Sequence, residues 1–528
     1  VTTWNSYHRW DGPEEWDAIV VGSGPGGLMA ALMLARFGDR RVLVLEQHYE
    51  AGGYTHTFRR GGYEWDVGVH YIGAVGRRSA TRNMFDFLTG GRLQWAAMPE
   101  VYDRVFLGER SYDLVAGRRR FAAQLKEYFP DEATAIDGYL EQVRAALSGS
   151  AGFFAEKAVP PLVSRLGGGI MRRRFLRLAG RTTREVLEEL TSNQELIAVL
   201  TGQFGDYGLP PGQSSFAIHA MVANHYMNGG FYPVGGAGRI AAEAVKEIEA
   251  SGGCVLVAAD VAQIETERGR AVGVRMADGR RLRASTVISN AGAALTFGRL
   301  GGHEPSLRAL HGRLGRLGNS AAHLGLYLGF RATDEELDLD GTNLWLYPNE
   351  KHDDNIARFL ADPEAPLPLI YVSFPSAKDP SFQERMPGRA TVDVITLASY
   401  EWFRRWEQQP WMKRGEEYEA LKERFAERLL DALYVHRPQL RGRVDTHVVS
   451  TPLSTRNFVA YEAGEIYGLE HSPARFRERA LTPRTPIGGL WLTGQDVCTC
   501  GVTGALSGGA ITASAVLGRP VIRQVMRG

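Results

Sequence analysis

Apolar positions near the N-terminus fall into short blocks set apart by glycine. Ala18 to Val21 runs four residues without a polar break, the pattern of a parallel strand covered on both faces. The turn "GSGPGG" follows. Leu28 to Phe37 then predicts a helix, and Val42 to Leu45 a second strand, closed by Glu46. "YEWDVGVHY" reads as a strand returning toward the glycine turn. Residues 252 to 290 read as a strand leading into a meander, with turns at "RGR" and "ADGR" and a last strand at "TVISNAG" able to rejoin the first sheet. Near the C-terminus "GGLWLTG" predicts a strand and Val502 to Ser514 a helix. The stretches from about 90 to 230 and 300 to 480 are too long for loops and must carry structure of their own.

The glycines give the first block its chemistry. Gly22, Gly24 and Gly27 form G-x-G-x-x-G: a tight turn, a close approach to a pyrophosphate, and close helix–strand packing, in that order. The helix that follows would aim its N-terminal amides at phosphate. Glu46 stands where a carboxylate receives ribose hydroxyls, roughly 20 residues on. A lone fingerprint also occurs as a plain turn, but here strand, helix and acid are all in register.

Three pieces favour FAD over NAD. "EAGGYTHTFRRGGYEWDVGVHYIG", residues 50 to 73, follows Glu46 directly and brings Gly52 and Gly53 close to a cofactor. The 252–290 meander is the second. The third is "LTGQDVCTCGVTGALSGG", residues 492 to 509, where Asp496 could take a ribityl hydroxyl. The helix from Val502 would stabilise negative charge on the N1–C2 carbonyl edge of a reduced flavin.

These residues resemble the phytoene desaturase-like flavoproteins within the amine-oxidase-type FAD fold, and most nearly the retinol saturase and carotenoid isomerase branch. "GYEWDVGVHYIG", "FYPVGGAGRIAAEAV", "YVSFPSAKDPSF", "ITLASYEWFRRW" and "LWLTGQDVCTCGVTGAL" carry the resemblance, which runs from about residue 17 to 517. It implies an α/β, glutathione-reductase-type Rossmann fold with a discontinuous α+β substrate domain. The expected division is FAD-binding at 1–90, 231–300 and 481–528, and substrate or lid at 91–230 and 301–480. It implies FAD contacts from Gly22, Gly24, Gly26, Gly27, Glu46, Gly53, His56, Thr57, Gly494, Asp496, Val502 and Thr503, with the backbone of Val261 against adenine. Many relatives carry arginine after the double glycine where this chain has Tyr54, so contacts there cannot be copied.

The implied activity is saturation of one carbon–carbon double bond of an apolar polyene, retinol- or carotenoid-like, by flavin hydride transfer, with NAD(P)H as a conceivable electron donor. The alternatives are a redox-neutral isomerase or a desaturase of carotenoids or polyunsaturated fatty acids, and a non-catalytic flavin-containing lipid carrier. His70, in the return toward the flavin, is the candidate proton-handling residue, with His56 and His225 beside it; each could equally be a packed imidazole.

Composition changes little of this. Glycine is high, 62 of 528 residues, against roughly 7% on average, as a backbone pressed repeatedly against a cofactor requires. A formal net charge of +1 gives no reason to expect nucleic acid. Cys254, Cys498 and Cys500 cannot all pair, so a reducing, cytoplasmic setting is expected. The N-terminal stretch lacks the charged and apolar blocks of a signal peptide. "CTC" without a second ligand pair reads as small side chains lining the flavin pocket rather than a metal site. Residues 160 to 184 hold seven arginines and no acid among Leu, Ile, Met and Phe. They read either as a peripheral membrane contact or as a solvated basic surface, with Gly167 to Gly169 breaking any long helix. Oligomeric state is not legible.

Overall fold

The structure is a computed structural model and describes residues 4–527. Its first sheet has six strands in the order Asn5–Ser6, Cys254–Val257, Val42–Leu45, Ala18–Val21, Val287–Ser289, Leu490–Leu492. All pair in parallel, so "TVIS" does rejoin the first strand, with Val287 opposite Ile19. The apolar runs are continuous because both faces are covered, one by helices and the other largely by the meander strands that carry Val261, Ile264, Val274 and Leu282. The helix after the glycine turn spans Pro25–Gly38. It starts three residues before the expected Leu28, because Pro25 suits the first helical position and Gly26 and Gly27 form the first turn. The C-terminal helix Gly501–Leu517 lies against it, and a Cβ on Gly509 would strike the carbonyl oxygen of Gly26. The two ends of the chain thus close one layer.

A second sheet has seven strands: Arg110–Val115, Val101–Leu107, Asn343–Tyr347, Ile370–Ser373, Ala390–Ala398, Ala322–Phe330, Val444–Ser450. Alternation along these strands sorts their side chains. Leu324, Leu326, Leu328, Val392 and Val394 face a core shared with Phe425, Leu429 and Leu433 of the helix Glu416–His436. The opposite face carries two rows across the strands. One is polar, with Asp103 opposite Asn343 and Ser373 opposite Asp393; the other is Trp345, Tyr371 and Ile395 in mutual register.

Two local expectations fail. "YEWDVGVHY" is not one strand: Tyr63–Asp66 folds back on Thr57–Arg60 as a hairpin, and pairing resumes only at Ile72–Gly73, opposite Gly230 and Phe231. The hairpin is held instead by packing of Tyr63 and Trp65 on Tyr327 of the second sheet. Nor do the three glycines break the basic stretch, which is one helix, Pro161–Ala179. There a Cβ on Gly168 would sit 2.6 Å from Glu156 Oε1, and one on Gly149 2.7 Å from the Phe175 nitrogen. Glycine lets this helix close on Ala133–Ala158, and that contact outweighs the roughly 1 kcal/mol per residue it costs in helix propensity.

Candidate functional site

A single cavity runs between the two sheets and encloses about 1830 Å³ of empty space, part of it open to solvent. One end is a cradle of backbone. Gly22, at φ +97, and Gly24 line it, and a Cβ on Gly24 would meet Asn290 Nδ2 at 2.9 Å. Gly26 and Gly27 stand behind the wall: a Cβ on Gly26 would sit 2.7 Å from the Gly494 Cα, and one on Gly27 would run into the Gly22 carbonyl. Glu46 lines the cradle and accepts from Ser23 N at 2.9 Å, Ser23 Oγ at 2.7 Å and His48 N at 2.9 Å. Burial pushes its carboxyl above the usual range, against those three donors. Ser23 Oγ also accepts from Gly52 N at 2.9 Å, tying the glycine turn to the Gly52–Gly53 loop.

Gly53, His56, Val261, Asp496 and Val502 line the cavity as well; Thr57, Gly494 and Thr503 do not. His56 is locked by a 2.6 Å contact from Nδ1 to the Gly53 carbonyl. Asp496 is buried, accepting from Ala293 N at 2.7 Å and pairing with Arg475 at 3.3 Å. Tyr54 lines the wall and donates to the Glu465 carbonyl at 3.3 Å, an internal anchor rather than an arginine's charge. Gly501, Val502 and Ala505 bring the N-terminus of the last helix to the cavity.

These groups fit FAD. Two helix N-termini suit pyrophosphate and a flavin edge, Glu46 suits ribose, and the Thr493 and Thr503 hydroxyls are buried without a protein partner. The cysteines fail as lining groups. Cys498 and Cys500 are buried in the apolar cores behind the wall, and burial pushes the Cys500 thiol up to about 12. Among the described residues no group of three His, Cys, Asp or Glu side chains is arranged to hold a metal.

The other end is a chamber walled by Trp345, Leu369, Tyr371, Ile395 and Leu397, with Gly205, Asp206, His70 and His323 reaching it. His70 Nδ1 lies 3.3 Å from the buried Asp393 carboxylate, too oblique for a hydrogen bond, and its ring meets Tyr371 edge-on. Burial, and then the charge of Lys378, push His70 down to about 3, so the imidazole is neutral. His225 is set back from the wall, its Nε2 accepting from Gly73 N at 2.9 Å.

Behind the chamber the polar row of the sheet becomes a network. Lys378 donates to the His70 carbonyl at 3.0 Å, to Ser373 Oγ at 2.7 Å and to Asn343 Oδ1. Asn343 donates to Asp103 at 2.8 Å, as do Gln203 at 2.7 Å and Tyr71 at 2.9 Å. Tyr71 reaches on to Asp206 at 3.1 Å. Burial holds Lys378 down at about 7 and lifts Asp103, Asp206 and Asp393. Sequence reasoning missed Asp103, Gln203, Asp206 and Asp393. Lys378 and Ser373 lay inside "SFPSAKDP" and Tyr71 inside "GYEWDVGVHYIG", but with no role attached to any of them.

The flavin containing amine oxidoreductase family model matches residues 25–295. An all-trans-retinol 13,14-reductase from Danio rerio is 38% identical, covering 96% of this chain and 87% of that protein. A chloroplastic prolycopene isomerase from Arabidopsis thaliana is 27% identical, covering 92% of this chain and 80% of that protein. Among solved structures, cyclohexylamine oxidase from Brevibacterium oxydans aligns over 96% of this chain and 99% of that chain with a TM-score of 0.60. At 16% identity that likeness is one of fold, the amine-oxidase-like α/β arrangement expected from the sequence.

Proposed function

The chain belongs to the all-trans-retinol 13,14-reductase family of flavin-containing oxidoreductases, and we propose that it is an FAD-dependent enzyme saturating one carbon–carbon double bond of an apolar polyene such as retinol. The observation that carries this reading is the continuity of the cavity, from the Gly22–Gly24 backbone cradle to the aromatic and aliphatic chamber of Trp345, Tyr371, Ile395 and Leu397. The bound flavin supplies hydride chemistry. The chain's task is then to hold the dinucleotide, lay a conjugated chain along the flavin, exclude water and manage a proton. Gly22, Gly24, Glu46, Gly53, His56, Val261, Asp496 and Val502 are the proposed cofactor contacts on the wall. Gly26, Gly27, Thr57, Gly494 and Thr503 act from behind it. In this reading neutral His70 shapes the chamber wall.

The test is anaerobic incubation of the reduced holoprotein with all-trans-retinol, followed by mass spectrometry. The expected product is heavier by two hydrogens. A product of unchanged mass makes the protein an isomerase, and no product at all removes the reading.

We also propose that the enzyme meets its substrate at an anionic membrane surface. Leu162, Leu166 and Ile170 on the helix Pro161–Ala179 are 68%, 82% and 83% exposed. With Val163 they share one side of that helix, at spacings of about four residues, and Arg165, Arg173, Arg174 and Arg177 are exposed around them. Arg172 points inward to Glu156 at 2.7 Å and takes no part. No helix among the described residues is long and apolar enough to cross a membrane.

A further inference from the structure

We propose that Asp206 is the general acid of the reaction, a protonated carboxyl presented to the chamber wall. This rests on the reading that a double bond is saturated there. Asp206 ends the short turn Phe204–Asp206 and lines the cavity beside Gly205, Trp345 and Tyr371.

Hydrogen-bond arithmetic fixes its proton. The Tyr71 hydroxyl lies 2.9 Å from Asp103 Oδ2 and 3.1 Å from Asp206 Oδ2, and a phenol has a single hydrogen to give. Asp103 already collects Gln203 Nε2 at 2.7 Å and Asn343 Nδ2 at 2.8 Å, the set of partners an ionised carboxylate requires. Tyr71 therefore donates to Asp103. Asp206 can hold the tyrosine oxygen only by donating to it, which requires the acid form. The titratable groups around Asp206 are Asp103, Cys500 and the phenols of Tyr71, Tyr102, Tyr207, Tyr226, Tyr347, Tyr371 and Tyr467, and none is a cation. Burial, and then the charge of Asp103, lift its carboxyl well above the ordinary range, in the same sense as the hydrogen-bond geometry. His70 offers no rival source, because its imidazole is neutral and Lys378 disfavours charging it.

The step balances. A hydride from the reduced flavin forms one C–H bond as the π bond breaks. The electron pair left on the neighbouring carbon takes the Asp206 proton to form the second. The flavin leaves oxidised and Asp206 leaves as carboxylate, to be reprotonated by water once product departs.

The experiment compares wild-type holoprotein with Asp206→Asn, using all-trans-retinol as the probe. The infrared difference spectrum of the two, without substrate, is expected to contain the C=O stretch of a protonated carboxylic acid. The variant should keep its flavin and fall about 10²- to 10⁴-fold in product formation, and Asp206→Glu should restore part of the rate. Tyr71→Phe, which leaves the carboxyl in place, should move the infrared band because the acid loses its acceptor. Absence of the band, a band unmoved in Tyr71→Phe, or wild-type turnover in Asp206→Asn overturns the assignment. If wild-type protein leaves retinol unchanged, the saturation reading fails, and the band alone still decides whether Asp206 is protonated.

Discussion

The two ends of the cavity are built on opposite principles. In the cradle the binding surface is backbone, and side chains are kept away: Gly22, Gly24 and Gly53 line it, and Gly26, Gly27 and Gly494 make room behind it. In the chamber the surface is side chain, taken from Trp345, Leu369, Tyr371, Ile395 and Leu397 on strands of one sheet and beside them, and backed by buried charge. The first end tolerates almost no added atoms. The second is open to substitution in shape but not in charge, since Lys378, Asp103 and Asp393 share a low-dielectric layer in which each depends on its partners.

That contrast is easiest to break at the cradle. Gly27→Val should have the largest effect, because a side chain there runs into the Gly22 carbonyl and separates helix from strand. We expect purified protein with nearly no bound flavin, read from the flavin-to-protein ratio. Asp103→Asn should come next. It places an amide where three donors converge on a carboxylate, and hydrogen bonds to a charged group contribute about 1.5–3 kcal/mol each. Urea unfolding should therefore show a loss of about 2–3 kcal/mol, with flavin still bound in the native protein.

The pH dependence sharpens the chamber side. Lys378 titrates at about 7 in the folded protein against 10.5 for the free side chain. Below about 7 both states hold the proton; between 7 and 10.5 only the unfolded chain does. Stability from this group therefore rises as pH increases through that window and is missing below it. Lys378→Met should flatten the alkaline arm of the stability-versus-pH curve measured by thermal melts. The smallest stability effect belongs to the double variant Leu166→Ser, Ile170→Ser, expected to stay within about 0.5 kcal/mol of wild type because both positions are exposed. Its flotation with anionic liposomes should nevertheless fall, and unchanged flotation removes the membrane proposal.

The same contrast explains what the sequence made legible. A backbone surface needs glycine at fixed spacing, followed by a helix and then an acid, so Gly22, Gly24, Gly27 and Glu46 announce themselves within one stretch. The chamber needs only that alternate strand positions face inward. Val394 and Ile395 look alike in sequence, yet one enters the core and the other the cavity wall. Asp103, Asn343 and Asp393 are brought together by strand register, Asp206 joins them from the turn Phe204–Asp206, and none carries a local signal. His70 was found because it follows a glycine-rich return, but its partner Asp393 could not be. Gly167 to Gly169 misled for a related reason. Spacing shows a weak helix former, while the neighbouring helix that makes Gly168 useful is visible only in three dimensions.

The most direct measurement of the central claim is a single anaerobic turnover followed by flavin absorbance. Holoprotein reduced stoichiometrically and mixed with all-trans-retinol should regain oxidised flavin, in equal amount to a retinol product that has gained two hydrogens. Flavin that stays reduced while the polyene is unaltered, or is merely isomerised, would contradict the account.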